Sequence, residues 1–319
     1  MKSLIIGAAG FAGAYLIRHL HQELGHKTAV TKLPHEQIPA DCSEGIDIYD
    51  LDILKQDAVL KLFEQVQPDY IFHLAAQSSV AAAWKYPEMT VDVNIKGAVN
   101  VLEGMRRMGR HARMVLVGSG EEYGPVKAQE IPVCEEHAVC PVNIYAATKA
   151  SQNMFGRIYA KAYGLEVVMV RAFNHIGPNQ EPVFVVPDFC RQAAWIEAGR
   201  AEAVLWTGNL DVKRDFTDVR DVVRAYAMLA ECGRAGETYN VGSGRAVGIA
   251  DILKIILEKS RADIVIKTDP LKFRPVDLPV IEADIHKLQQ ATGWQPLIRL
   301  EQTITETLDY WRSRAEADA

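Results

Sequence analysis

Ser3-Leu4-Ile5-Ile6-Gly7-Ala8-Ala9-Gly10-Phe11-Ala12-Gly13 decides the fold: an apolar run ends in three glycines spaced three apart. Apolar residues bounded by glycine predict a short buried strand. Glycine lets the chain turn sharply and brings backbone N–H groups close to a pyrophosphate. It also lets the next helix pack tightly on the strand. Gly7, Gly10, Phe11 and Gly13 are thus candidate dinucleotide contacts. The spacing is G-x-x-G-x-x-G rather than the commoner G-x-G-x-x-G, and a tight turn without a ligand is the alternative.

Outward from this turn, short apolar runs alternate with helical periods. Residues 4–6, 28–30, 70–74, 114–117 and 167–170 predict buried strands; residues 13–24, 58–66, 94–108 and 145–163 predict amphipathic helices. Pro68-Asp69 marks a turn before one strand, and Gly164 ends a long helix before another. Such alternation predicts an α/β fold, a Rossmann-type doubly wound parallel sheet covered by helices. After residue 174 the rhythm breaks into shorter elements separated by Gly, Pro and Asn, with a helix over 218–230 and a strand at 239–242. The expected organisation is a nucleotide-binding domain of residues 1–173 with 212–240, and a smaller interleaved substrate-binding domain of residues 174–211 with 241–319. The polar tail, 311–319, is expected to fray.

Bulk properties narrow the partners. Over 319 residues, 49% are apolar and 24% charged, with a formal net charge of −6, so neither nucleic acid nor an anionic membrane is favoured. Cys42, Cys134, Cys140, Cys190 and Cys232 are odd in number and lack metal-ligand spacing, which predicts reduced thiols and no metal. No run approaches the ~18 apolar residues of a membrane span, and the N-terminus opens directly into a strand. A cytoplasmic protein is expected.

The end of the second strand bears on the coenzyme. Sites that prefer NAD place a carboxylate there for the ribose 2′-OH. Here stand Thr31 and Lys32, with no acid until Glu36, which favours NADP(H): Lys32 can pair with a 2′-phosphate and Thr31 can donate to it. The alternative is an ordinary solvated lysine. Asp52 and Ile53, after the third strand, are candidate adenine contacts, unless Asp57 caps a helix and Asp52 merely occupies the turn.

Tyr145 and Lys149 are one helical turn apart, so both project from one face. A phenol of pKa ~10 is a poor acid–base group at neutral pH. An adjacent ammonium, joined by the positive nicotinamide in one redox state, is expected to bring it down and fit it for proton exchange with a carbonyl or alcohol oxygen. Tyr123 and Lys127 share the spacing, but Gly124 and Pro125 between them preclude a regular helix. Ser119 follows the strand at 114–117, at the end where α/β sheets gather ligands, and can hold a substrate oxygen beside Tyr145. Glu121 is either an acid–base group or a helix-cap or solvated residue.

The glycine turn, His73-Leu74-Ala75-Ala76, Asn94, Ser119 and Tyr145-x-x-x-Lys149 together resemble the extended short-chain dehydrogenase/reductase family over nearly the whole chain. Within it, three stretches resemble the GDP-4-keto-6-deoxy-D-mannose reductases: Arg171-Ala172-Phe173-Asn174-His175-Ile176-Gly177-Pro178, residues 213–221 and Arg274-Pro275-Val276-Asp277-Leu278-Pro279. The first two have near counterparts in GDP-mannose 4,6-dehydratases. The resemblance implies an enzyme in which NADPH reduces the C4 ketone of a GDP-linked deoxyhexose to give GDP-D-rhamnose. It implies catalytic roles for Ser119, Tyr145 and Lys149, coenzyme contacts from Leu74 and Ala75, and substrate contacts from Gln77, Asn174, Arg214 and Arg274. For Arg214 a structural ion pair with Asp215 or Asp218 is the alternative. It also implies a homodimer built on the helices at 94–108 and 145–163, where Ala98, Val101, Met154 and Ile158 face either a partner or the chain's own core. Gly120 departs from the dehydratases, which place a polar side chain there. Glu121 departs from the epimerising reductases, which place a cysteine there.

Overall fold

A computed structural model describes residues 1–273 and 276–317. The strands are β1 (Lys2–Ile6), β2 (Lys27–Lys32), β3 (Asp47–Asp50), β4 (Tyr70–His73), β5 (Arg113–Ser119), β6 (Glu166–Ala172), β7 (Asn174–Ile176), β8 (Val204–Thr207), β9 (Lys213–Asp218), β10 (Thr238–Val241), β11 (Ala246–Gly248), β12 (Val265–Thr268) and β13 (Val280–Ile281). The α-helices are α1 (Phe11–Ile17), α2 (Gln56–Val66), α3 (Val80–Lys85), α4 (Pro87–Val91), α5 (Ala98–Arg107), α6 (Ile144–Tyr163), α7 (Val185–Glu197), α8 (Val219–Cys232), α9 (Ile249–Lys259), α10 (His286–Thr292) and α11 (Leu300–Ala317).

Among the described residues, seven parallel strands form the main sheet in the order β10-β6-β5-β4-β1-β2-β3. Strands buried on both faces need apolar side chains on both, and β1 supplies them: Ile5 packs under α1 and α8, while Leu4 and Ile6 pack under α2 and α5. Each such fully buried side chain contributes roughly 1.5–3 kcal/mol. The strand order reverses between β1 and β4, which opens a crevice above their C-terminal ends. This is the Rossmann-type fold expected from the glycine turn.

A second unit closes over that crevice. Its centre is β9, which pairs with β7, β11 and β13, while β8 and β12 form a separate parallel pair. Helices α7, α9 and α11 bury Phe189, Ile252 and Ile304 in one apolar cluster. The strand at Lys213–Asp218, expected with the nucleotide-binding part, therefore pairs in the second sheet, and the chain returns to the first unit at α8.

The tail also departs from expectation. Helix α11 runs to Ala317, and Trp311 packs edge-on against Trp195 with ring centroids 5.9 Å apart. Arg312 meets Glu197 at 2.7 and 2.9 Å and donates to the Lys259 carbonyl at 2.8 Å. A polar sequence had concealed an anchored helix, because the apolar contacts come from single residues a turn apart.

Candidate active site

Gly7 sits at φ +86°, and a Cβ there would lie 2.5 Å from the Ala75 Cα; at Gly13 it would lie 2.3 Å from the Ala8 carbonyl oxygen. Only glycine permits this left-handed turn and this close helix packing. The turn is pinned by Gly7 N–H donating to Thr31 Oγ1 at 3.1 Å and Ala8 N–H to the Thr31 carbonyl at 2.8 Å. Gly10 caps α1 without a side chain, and no acid occupies the first turn of that helix. Backbone N–H groups and the positive helix end thus face the crevice, an arrangement suited to a diphosphate.

The crevice is a cleft of about 990 Å³. Gly7, Gly10, Phe11, Gly13, Thr31, Lys32, Asp52, Ile53, Leu74 and Ala75 line it at one end. Ser119, Glu121, Tyr145, Lys149, Asn174 and Arg214 line it toward the second unit. Gln77 does not: its amide donates to the Ser79 carbonyl and to Thr90 Oγ1, each at 3.0 Å, and its backbone N–H meets Asn94 Oδ1 at 2.8 Å. Its polar groups shape the loop after β4. Arg274 lies outside the described residues. Asp57 falls inside the first turn of α2 and does not cap it, while Asp52 accepts from Leu54 N–H at 3.0 Å on the cleft wall.

Helix α6 begins where Asn143 accepts from the Ala146 N–H at 2.8 Å, and the same side chain donates to Glu121 Oε2 at 3.1 Å. The Tyr145 phenol hydrogen-bonds the Ser119 side chain. Lys149, one turn on, is buried and donates to the Val117 carbonyl at 2.7 Å and to Gln152 Oε1 at 3.2 Å. Burial lowers the lysine pKa to about 8, with the Glu122 charge opposing. The phenol behaves otherwise than expected. Burial pushes its pKa up, the bond from Ser119 opposes, and Glu121 and Glu122 push it further up. The ammonium is directed to the β5 backbone, so the expected lowering by Lys149 is not what the protein alone produces.

Asn94 joins β4's loop to α6: it donates to the Gln77 carbonyl and to Thr148 Oγ1, each at 3.0 Å. Tyr123, the decoy of the second Y-x-x-x-K, is buried and donates to Asn240 Oδ1 at 2.7 Å under the Arg171 guanidinium. Arg214 is buried on the cleft wall and pairs with Asp277 at 2.5 Å. Lys32 pairs with Asp50 on the neighbouring strand at 2.6 Å. The sequence alone assigns two buried residues no role of their own, although His73 stands in the motif that carries the resemblance. Glu122 is wholly buried among Ser119, Asn153 and Arg171. His73 is wholly buried beside Lys149, with both ring nitrogens lacking partners among the described residues.

The doubly wound sheet, the glycine turn and a tyrosine–lysine pair against a strand-end serine define an extended short-chain dehydrogenase/reductase. Residues 4–307 match the family described as GDP-mannose 4,6 dehydratase, and the chain belongs to that family. The GDP-6-deoxy-D-mannose reductase of Pseudomonas aeruginosa is 30% identical over 317 residues, 99% of each chain. The GDP-mannose 4,6-dehydratase of Sinorhizobium fredii is 29% identical over 324 residues, 92% of this chain and 91% of that one. Among solved structures, that of RMD from Pseudomonas aeruginosa complexed with NADPH superimposes with a TM-score of 0.86 at 30% identity, covering 98% of this chain and 100% of that one. The chain is an enzyme of the nucleotide-sugar branch.

Proposed function

We propose that the enzyme uses NADPH to reduce the C4 ketone of GDP-4-keto-6-deoxy-D-mannose, giving GDP-D-rhamnose. The observation that carries this choice over the dehydratase reaction lies in the loop after β5. A Cβ on Gly120 would stand 3.1–3.2 Å from three atoms of the buried Phe173 ring. The position where dehydratases supply a polar side chain is thus filled from the far side by an aromatic one, and elimination of water lacks that group. The Pseudomonas reductase, similar over its full length, supports the same choice.

In this assignment Gly7, Gly10, Phe11, Gly13, Leu74 and Ala75 hold the coenzyme, which supplies hydride when bound, and Asp52 and Ile53 border its adenine. Thr31 and Lys32 take the 2′-phosphate, with Lys32 exchanging Asp50 for it. Tyr145 gives its proton to the ketone oxygen, and Ser119 orients that oxygen. Lys149 keeps the proton path positively charged. Asn174 and Arg214 contact the sugar and diphosphate, Arg214 as a charge-assisted donor held ready by Asp277. Glu121, fixed by Asn143, sets the polarity beside the sugar ring.

A homodimer through α5 and α6 completes the proposal. Met154 and Ile158 are more than half exposed on α6, whereas Ala98 and Val101 are buried in the chain's own core. The five cysteines are all free, as a reducing cytoplasm requires, and no described helix is long and apolar enough to cross a membrane.

The test is incubation with GDP-4-keto-6-deoxy-D-mannose and NADPH, followed at the nicotinamide absorbance band, with NMR of the product. Stoichiometric NADPH loss and a GDP-6-deoxyhexose reduced at C4 are expected. Loss of water from GDP-mannose without net coenzyme oxidation would establish a dehydratase instead.

A further inference from the structure

The Glu122 carboxylate is wholly buried, and its oxygens accept hydrogen bonds from three residues. It accepts from the Ser119 backbone N–H at 2.8 Å and from Asn153 Nδ2 at 2.8 and 3.0 Å. The Arg171 Nε donates to it at 3.1 Å. All four contacts are donated to the carboxyl oxygens, an arrangement that favours the carboxylate. Burial raises the group's pKa above the ordinary carboxylate value, against the opposing pull of the Arg171 guanidinium and of the Ser119 and Asn153 donors.

The partners come from three elements of the catalytic frame. Ser119 ends β5, Asn153 lies on α6 one turn beyond Lys149, and Arg171 lies on β6. We propose that Glu122 is a positioning residue: its carboxylate clamps the Ser119 end of β5 to helix α6 and is the counter-charge of the buried Lys149 ammonium. The clamp rests on the assignment of Ser119 and Tyr145 as the proton-handling pair; the counter-charge does not. Two links join the same pieces elsewhere, Lys149 to Val117 and Gln152 to Val117, at 2.7 and 2.9 Å. Both engage a strand position two residues before Ser119, so neither fixes Ser119 itself. The titratable groups that face Lys149 are Glu122 after β5 and His73 at the end of β4, with Tyr145 on its own helix. His73 is held neutral by burial, which leaves Glu122 as the opposing charge.

Glu122→Gln removes the charge and keeps the shape. Lysine side-chain NMR of the full chain, with the Lys149 signal assigned through Lys149→Met, reads the counter-charge without any substrate. Lys149 is expected to titrate near 8 in the parent and at least half a unit lower in Glu122→Gln. An unmoved titration overturns the proposal. With the keto-sugar and NADPH, kcat should fall at least tenfold while KM for NADPH stays within twofold. A parent-like kcat in a folded variant also overturns it. Tyr145→Phe separates the two claims: if that variant turns over normally, the proton-handling assignment fails, whereas the titration still judges Glu122. Should Glu122→Gln not fold, Asn153→Ala cuts the α6 side of the clamp and leaves the ion pair to Arg171 in place. Loss of kcat at unchanged melting temperature then supports the clamp, and retained kcat overturns it.

Discussion

The Lys149 ammonium donates to the Val117 carbonyl oxygen at 2.7 Å, on the strand that ends two residues later in Ser119. The lysine therefore ties its helix to the strand at the mouth of the cleft, and Tyr145, one turn earlier on that helix, meets Ser119. The same group is costly to bury, and its cost is measurable.

Between about 8, where burial sets the folded-state value, and the ordinary lysine value of 10.5, the unfolded chain binds the Lys149 proton more strongly than the folded one. Stability from this residue therefore rises with pH across that window, and below pH 8 the full penalty applies. Lys149→Met removes it, and Gln152 still donates to the Val117 oxygen. At pH 7 the variant should be about 1–3 kcal/mol more stable by urea denaturation, a gain that fades toward pH 10. A destabilised variant at pH 7 would refute the burial cost.

Tyr145→Phe keeps the ring and deletes the proton. Turnover should fall by roughly 10²–10⁴-fold with NADPH affinity within a few-fold of the parent. Stopped-flow reduction and coenzyme fluorescence titration measure the two separately.

His73 has no exposed surface, and burial lowers its pKa to about 3 from 6.5. Here too the unfolded chain binds more protons, now between about 3 and 6.5, so the protein loses stability as pH falls through that range. At pH 5 the loss relative to pH 7 is about 2 kcal/mol. His73→Leu should abolish that part of the acid sensitivity, read as the difference between urea midpoints at the two pH values.

Lys32 and Asp50 predict a two-sided effect on coenzyme choice. Lys32→Ala should lower the NADPH-to-NADH preference in kcat/KM about tenfold, the worth of one charge-assisted contact. Asp50→Asn frees the ammonium and should raise that preference, by less, because the pair it breaks is half exposed. An unchanged ratio in both variants would remove Lys32 from the 2′-phosphate site.

Deleting residues 311–319 removes Trp311 from Trp195 and Arg312 from Glu197. The loss of a partly buried aromatic and its packing predicts about 1–3 kcal/mol of destabilisation, measurable as a fall in urea midpoint.

What could be read from the chain was local. The glycines at 7, 10 and 13 and the Tyr145–Lys149 spacing are properties of neighbouring residues, and so are the apolar strand runs. β3 shows no apolar run because it is an edge strand whose Asp47, Ile48 and Asp50 are exposed. Glu122 looked like any acid after a turn, since its partners Asn153 and Arg171 arrive from 31 and 49 residues away. Likewise Asp277, the partner of Arg214, lies 63 residues on. Pairings set by the sheet order leave no trace in local spacing, and the depressed or raised protonation of Lys149 and Tyr145 follows from burial that only the assembled fold creates.

The contact between Gly120 and Phe173 has a bearing on how such an enzyme could change trade. A descendant gaining a side chain at 120 first would have to shift a buried ring by a few tenths of an ångström before any new chemistry appeared. One that first shrank Phe173 would open the space at the expense of a cavity and could then accept the new group. The order of the two steps is thus constrained by packing, and an engineered conversion should introduce both changes together.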